Sequence, residues 1–326
     1  MSTRVAIVGA TGAVGQELLR ILPERNFPIG ELALLASARS AGKTYEFAGE
    51  ALTVRETTAD SFDGVDVAFF SAGGSISREF AQAAVDAGAV VIDNTSAFRM
   101  TDGVPLVVPE VNPAAVRQHS GIIANPNCST ILMNVVVWPL HQAFGVTRVV
   151  VSTYQAVSGA GAAGLAELER QQKQVAADEA PSAELFPHPI VDNLFSHNSP
   201  IDATGYNEEE RKMIRETRKI FDIPDLAVTA TCIRVPVPRA HCESVNIEFA
   251  GRVTPDQAQD VLSKAPGIKL VDDPTPQAAS HQDAVLVGRV RQDPSRSDGT
   301  AIDLFLAGDQ IRKGAATNAV QVAELL

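Results

Sequence analysis

An apolar run, Arg4-Val5-Ala6-Ile7-Val8, ends on three glycines, Gly9, Gly12 and Gly15, and the residues that follow read as a helix through about Leu22. A buried strand that turns through glycines straight into a helix is the opening unit of a doubly wound parallel sheet. Glycine lets the backbone approach a phosphate, and the helix start supplies amide donors and positive potential. The spacing is G-x-x-G-x-x-G rather than the commoner G-x-G-x-x-G, and a plain strand–helix turn uses the same residues. Its place inside a strand–helix–strand pattern points to a dinucleotide site.

Further apolar strands at 32–36, 65–71 and 90–93 alternate with helical stretches, among them 77–87. They lack a period of two, as strands do when both faces are covered. From about residue 147 the pattern changes. Candidate strands at 147–156, 227–235, 244–250, 285–291 and 300–307 follow, several of them alternating, which predicts a sheet with one covered face. The fold expected is therefore α/β: an N-terminal Rossmann-like doubly wound parallel sheet, then an α+β domain with a mixed, largely antiparallel sheet. Residues 129–144 and 165–177 read as helices, 178–206 as a long surface connection, and 208–221 as a charged helix. Thr254 caps a helix with Pro255 in its first turn. A last helix from about Arg312 carries Ala315, Ala316, Ala319, Val320 and Ala323 on one apolar face.

Composition narrows the function classes. The 326 residues suit two domains. A net charge of −12 speaks against a nucleic-acid surface. No apolar run approaches the ~20 residues of a membrane span, and the start shows no cleavable signal region. Three scattered cysteines build no disulfide framework, so a reducing cytoplasm is expected. Cys232 and Cys242 fit no common zinc spacing, and His119, His141, His188, His197 and His281 show no ligand pattern, so no metal is expected and these histidines receive no role.

After the second strand comes Ser37-Ala38-Arg39-Ser40. A carboxylate there would favour NAD, whereas Arg39 can grip a 2′-phosphate and Ser40 can donate to it. NADP is therefore predicted over NAD, the alternative for Arg39 being a solvated loop charge. Cys128 follows Asn125-Pro126-Asn127 at the start of an apolar helix. A helix start and nearby cations favour the thiolate, the nucleophilic form, whereas a buried structural thiol is the commoner fate of a lone cysteine. Arg234 lies near a strand end and His241 seven residues on, past Pro236 and Pro238. An arginine there can fork onto a carboxylate and a histidine can move a proton, though for the residue alone a core histidine is the favoured reading. Glu209 and Lys212 share a helix face, as a substrate pair or as an ordinary surface ion pair.

With these residues in place, the chain resembles the aspartate-β-semialdehyde dehydrogenase family. The similarity runs through Val8–Gly15, 36–43, 93–99, 107–112, Asn125–Thr130, 152–161, Arg234–His241 and 308–316, nearly the whole chain in order. It implies reversible NADP-dependent reductive dephosphorylation of L-aspartyl-4-phosphate to L-aspartate 4-semialdehyde, a step toward lysine, threonine, methionine and diaminopimelate. By resemblance, Cys128 forms a thioacyl intermediate, His241 is the general acid/base, and Gln155 orients the acyl group. Arg234 takes the substrate α-carboxylate, Glu209 its α-ammonium, and Arg99 and Lys212 the phosphate. Gly9, Thr11, Gly12, Ala13, Val14, Arg39, Ser40, Ser158, Gly159 and Gln310 match cofactor positions. The family organisation implies a cofactor domain of 1–127 plus the C-terminal helix from about 310, and a catalytic and dimerisation domain of 128–309. Family members are homodimers, sometimes tetramers. Consecutive Glu208, Glu209 and Glu210 leave the register of the ammonium-binding carboxylate open. N-acetyl-glutamyl-phosphate reductase runs the same chemistry on a related frame, but its substrate has no free ammonium for Glu209. A non-catalytic paralogue should have lost the nucleophile or the base, and both are retained.

Overall fold

Residues 2–8 feed directly into a six-stranded sheet in the computed structural model, which describes residues 2–326. The strands are β1 (Thr3–Val8), β2 (Ile29–Ala36), β5 (Arg55–Glu56), β6 (Val67–Phe70), β7 (Val90–Asp93) and β8 (Ile122–Ala124), with a separate hairpin of β3 (Thr44–Phe47) and β4 (Glu50–Thr53). The sheet order is β5-β2-β1-β6-β7-β8, and all its pairs are parallel. Contacts divide the chain into two units: one takes the chain up to Asn127 together with Ala315–Leu326, the other is Cys128–Gly314.

The first unit shows why β1 does not alternate. Val5 and Ile7 enter one core cluster with Leu18, Ile21 and Leu22 of α1 (Ala13–Glu24), while Ala6 and Val8 enter another with Ala81 and Ala84 of α2 (Gly74–Asp86). Successive side chains point to opposite faces, so a strand covered on both faces is apolar throughout. The C-terminal helix, Thr317–Ala323, packs Ala319, Val320 and Val322 into the α1 cluster, after a π-helical turn at Arg312–Ala316. The expected single apolar face is corrected here: Thr317 and Asn318 are buried too. Asn318 tolerates this because its Nδ2 donates to Val107 O at 3.0 Å and to Asn125 Oδ1 at 2.7 Å.

The second unit opens with α3 (Cys128–Phe144) and β9 (Val146–Gln155), then α4 (Ala162–Ala176), β10 (Phe195–Ser196), α5 (Glu208–Phe221), β11 (Ala227–Arg234) and β12 (His241–Phe249). It closes with α6 (Pro255–Lys264), β13 (Ile268–Leu270), β14 (Val285–Gln292) and β15 (Ala301–Gly308). The sheet order is β10-β11-β9-β12-β15-β14-β13. Pairs β9/β11 and β13/β14 are parallel and the others antiparallel, so the sheet is mixed. The segment expected as a surface connection over 178–206 is only partly one. Phe186 and Ile190 are buried against Val157 and Leu168. Glu167 accepts the backbone N–H of Leu185 at 2.7 Å, and Gln171 accepts that of Ile190 at 2.8 Å. One polar face of α4 thus stands in for strand partners.

Beneath the sheet surface β12 carries a buried carboxyl. Glu243 is fully buried, neither oxygen has a hydrogen-bond partner among the described residues, and burial pushes its pKa well up. Glu243→Met, close in shape and apolar, is expected to raise thermal stability. The sign with pH follows from linkage. The unfolded chain ionises this group above about 4.5 while the fold keeps it protonated, so parent stability falls as pH rises from there. Each such pH unit costs about 1.4 kcal/mol while the folded group stays protonated. Calorimetry at pH 5 and pH 8 checks it: the melting-temperature gap in favour of Met should be wider at pH 8.

Candidate active site

Cys128 is the first residue of α3, whose Ile131–Val137 stretch is buried and fixes the helix start beneath the sheet ends. Cys128 is half-buried, whereas Cys232 and Cys242 are buried. Burial drives both of the latter up, Cys242 to about 12 and Cys232 further, so neither is a ready thiolate. A Cβ built on Gly314 would lie 3.0 Å from the Cys128 Cβ, so glycine at 314 keeps room beside Cys128.

Strand register gathers the other groups. In the parallel β9/β11 pair Gln155 lies opposite Arg234 at the strand ends, and β12 begins on the far side of β9 with His241. Gln155 Nε2 donates to Ser129 Oγ at 2.8 Å, beside Cys128, and reaches Glu209 Oε1 at 3.4 Å. Glu209 Oε2 pairs with Lys212 Nζ at 3.0 Å. Arg234 Nη1 donates to Ala156 O at 2.8 Å, and the Ala156 N–H donates to His241 Nδ1 at 3.0 Å. A Cβ on Gly159 would come within 2.9 Å of Arg234 Nη1 and 3.2 Å of His241 Nε2. Glycine there lets the backbone pass close against both side chains.

The three consecutive glutamates separate by function. Asn207 caps α5 in a box with Glu210: Glu210 N–H donates to Asn207 Oδ1 and Asn207 N–H to Glu210 Oε2, each at 2.9 Å. Glu210 Oε1 accepts the Cys232 N–H at 3.0 Å. Both its oxygens are engaged in holding α5 to β11. Glu208 is exposed, and Glu209 alone of the three faces Gln155 and Lys212. The Asn207…Glu210 spacing is a capping-box signal that sequence reading passed over.

Charge in the site is dominated by burial. Arg234 is buried with its Nε unpartnered among the described residues. Burial lowers its pKa, and the negative charges of Glu209 and of a Cys128 thiolate oppose that. His241 is fully buried, and burial followed by the nearby Arg234 charge takes its pKa down to about 3. The ring is therefore neutral near pH 7. Because Nδ1 accepts the Ala156 N–H, the neutral ring carries its proton on Nε2. That nitrogen is buried and has no partner among the described residues.

The glycine loop lies in the first unit. Gly9 has φ +91°, and a Cβ there would meet Ser71 O at 2.6 Å. A Cβ on Gly15 would collide with Gly9 O. Gly12 precedes α1 with no side-chain cap, and Thr11, Gly12, Ala13 and Val14 remain partly open. The loop borders a cleft of about 590 Å³ that Arg39 and Glu56 also line. Ser40 ends the same short 3-10 turn as Arg39. A glycine turn, an uncapped helix start and one arginine at the strand end fit a dinucleotide phosphate.

Other expected residues have distinct places. Arg99 is in the first unit, where its Nε and Nη2 donate to Asn125 O at 2.9 Å and Asn94 O at 2.8 Å. Ser158, Gly159 and Gln310 are in the second unit. Gln310 accepts the Ala240 N–H at 2.8 Å and donates to Ser158 Oγ, which ties these two residues to the start of β12. Ser129, the partner of Gln155, was missed, although its place next to Cys128 was a signal.

Comparison with known proteins gives a consistent result. Residues 4–119 match the family model "Semialdehyde dehydrogenase, NAD binding domain", and 137–313 match "Semialdehyde dehydrogenase, dimerisation domain". The chain is 56% identical over 329 residues to aspartate-semialdehyde dehydrogenase of Synechocystis sp., covering 99% of this chain and 97% of that protein. It is 49% identical to the Aquifex aeolicus enzyme of the same name, covering 100% and 98%. A crystal structure of aspartate semialdehyde dehydrogenase II from Vibrio cholerae, complexed with ASA, superposes with a TM-score of 0.97 at 46% identity, covering 100% of this chain and 98% of that one.

Proposed function

The chain belongs to the aspartate-semialdehyde dehydrogenase family, and on that premise we propose that it interconverts L-aspartyl-4-phosphate and L-aspartate 4-semialdehyde through a thioester on Cys128, with NADP. It is an oxidoreductase of amino-acid biosynthesis that uses a nicotinamide cofactor. The observation that carries the mechanism is the convergence of Gln155, Glu209, Arg234 and His241 on the strand ends beside the Cys128 helix start.

In the reductive direction Cys128 Sγ attacks the acyl carbon, the C–S bond forms and phosphate leaves with the electron pair, taking a proton from solvent. A nicotinamide cofactor held by the glycine loop and Arg39 would supply a hydride to the acyl carbon. The resulting alkoxide collapses, the C–S bond breaks, and aldehyde and thiolate are regenerated. His241 serves the substrate oxygen from Nε2–H, the acid half of the acid/base role expected for it. Its hydrogen bond strengthens as that oxygen becomes anionic. Gln155 fixes the acyl group, Arg234 forks onto the α-carboxylate, and Glu209 meets the α-ammonium. Arg99 and Lys212 take the phosphate. The second unit, which carries the dimerisation match, is the part through which two copies associate.

The test is an initial-rate assay with L-aspartate 4-semialdehyde, phosphate and NADP, followed by nicotinamide absorbance. Phosphate-dependent reduction of NADP is the expected result; no turnover by folded protein would redirect the reading to the N-acetylated glutamyl analogue. Arg39 governs cofactor choice. Arg39→Asp is expected to raise KM for NADP about 10- to 100-fold, the loss of one to two charge-assisted hydrogen bonds. NAD should be affected less than about threefold, because it lacks the phosphate that Arg39 grips and Glu56 remains to meet a ribose hydroxyl. Glu56 lies opposite Ala36 in the β2/β5 register. Equal losses for both cofactors would refute the assignment.

A further inference from the structure

His197 is joined to both halves of the site that binds the amino-acid end of the substrate. Its backbone extends β10, where Phe195 pairs with Arg234, and its N–H donates to Cys232 O at 2.8 Å. The ring side is fixed through Ser199. Ser199 Oγ accepts the Glu209 N–H at 3.1 Å and lies 3.1 Å from His197 Nδ1, which also accepts the Ser199 N–H at 3.3 Å. One short segment thus ties the strand carrying Arg234 to the helix start carrying Glu209.

Two consequences follow for the ring. With Nδ1 accepting from Ser199, the neutral imidazole holds its proton on Nε2. Burial is the main cause that takes its pKa down to about 4, with Arg234 and Lys212 adding to it and Glu209 opposing. The charges it feels are those assigned to the carboxylate, ammonium and phosphate of the substrate, and His241 feels His197 in turn. Near pH 7 the ring is therefore an uncharged N–H donor between the strand of Arg234 and the helix start of Glu209, the groups assigned to the substrate carboxylate and ammonium. A second cation beside Arg234 would repel the ammonium, whereas a neutral donor adds a hydrogen bond without that cost.

We propose that His197 is a specificity-determining residue whose Nε2–H donates to the substrate α-carboxylate alongside Arg234. The inference rests on the function proposed above. The experiment compares the parent enzyme, His197→Ala and His197→Gln on L-aspartate 4-semialdehyde. It also uses 3-aminopropanal, which keeps the ammonium but lacks the carboxylate, as substrate or as competitive inhibitor. His197→Ala should raise KM for the semialdehyde at least tenfold, with kcat within threefold and KM for phosphate and NADP within twofold. The constant for 3-aminopropanal should stay within twofold. Gln, whose amide supplies a neutral donor, should restore KM for the semialdehyde to within threefold. An active parent with His197→Ala unchanged in KM overturns this inference alone, as do equal losses on both aldehydes. A folded parent silent on the semialdehyde overturns the functional reading and this inference with it.

Discussion

Cys128→Ala is expected to lower kcat by about 10⁴-fold or more while leaving the Kd for NADP within about twofold. In the proposed mechanism the sulfur makes and breaks the bond to the acyl carbon, so no other group in the site replaces it. The cleft lined by the glycine loop and Arg39, proposed to hold the cofactor, lies in the first unit, and Cys128 begins the second. Cys128→Ser should be nearly as inactive, because a hydroxyl needs a base and His241 presents a nitrogen that already carries its proton. Initial rates and a titration of NADP binding measure both quantities. Alkylation of the folded parent should mark one site, since Cys232 and Cys242 are buried with raised pKa values. Comparable rates for parent and Cys128→Ala would sink the covalent mechanism.

His241→Ala is expected to cost about 10²- to 10⁴-fold in kcat, the range for loss of a positioned proton donor at a developing oxyanion. His241→Gln should lose less, because an amide N–H keeps part of the hydrogen bond. The pH profile separates this role from that of a base titrating near neutrality. With its pKa taken down to about 3 by burial and Arg234, the ring should contribute no limb to the kcat profile between pH 5 and 8. A His241-dependent limb near pH 6.5 would overturn the donor reading. Stability carries the matching sign. The unfolded ring takes a proton below about 6.5 and the folded ring only near 3, so stability is lost as pH falls through that window.

Much of the first unit was legible because its physics is local. The apolar strands, the glycine turn and the following helix each announce themselves within a few residues. The β3–β4 hairpin did not. Its turn is Ala48-Gly49 with φ of +51° and +86°, so one left-handed position is filled by alanine and the usual Asn-Gly signal is absent. Segment 178–206 misled for a different reason: its backbone is held by Glu167 and Gln171, and polar side chains that satisfy a distant loop leave no periodicity. The parallel β9/β11 pair, which brings Gln155 beside Arg234, joins strands far apart in sequence and had no local sign. His197 was set aside because it fits no metal spacing, while its environment depends on Ser199, Glu209 and Arg234 in space.

The core of the first unit needs Ala319, Val320 and Val322, which lie after the whole of Cys128–Gly314 in the chain. On the ribosome, the second unit is therefore complete before the first can close. Until residues 315–326 emerge, Leu18, Ile21 and Leu22 of α1 lack these packing partners, and the nascent chain exposes an apolar seam. That seam persists while the whole second unit, Cys128–Gly314, is being synthesised.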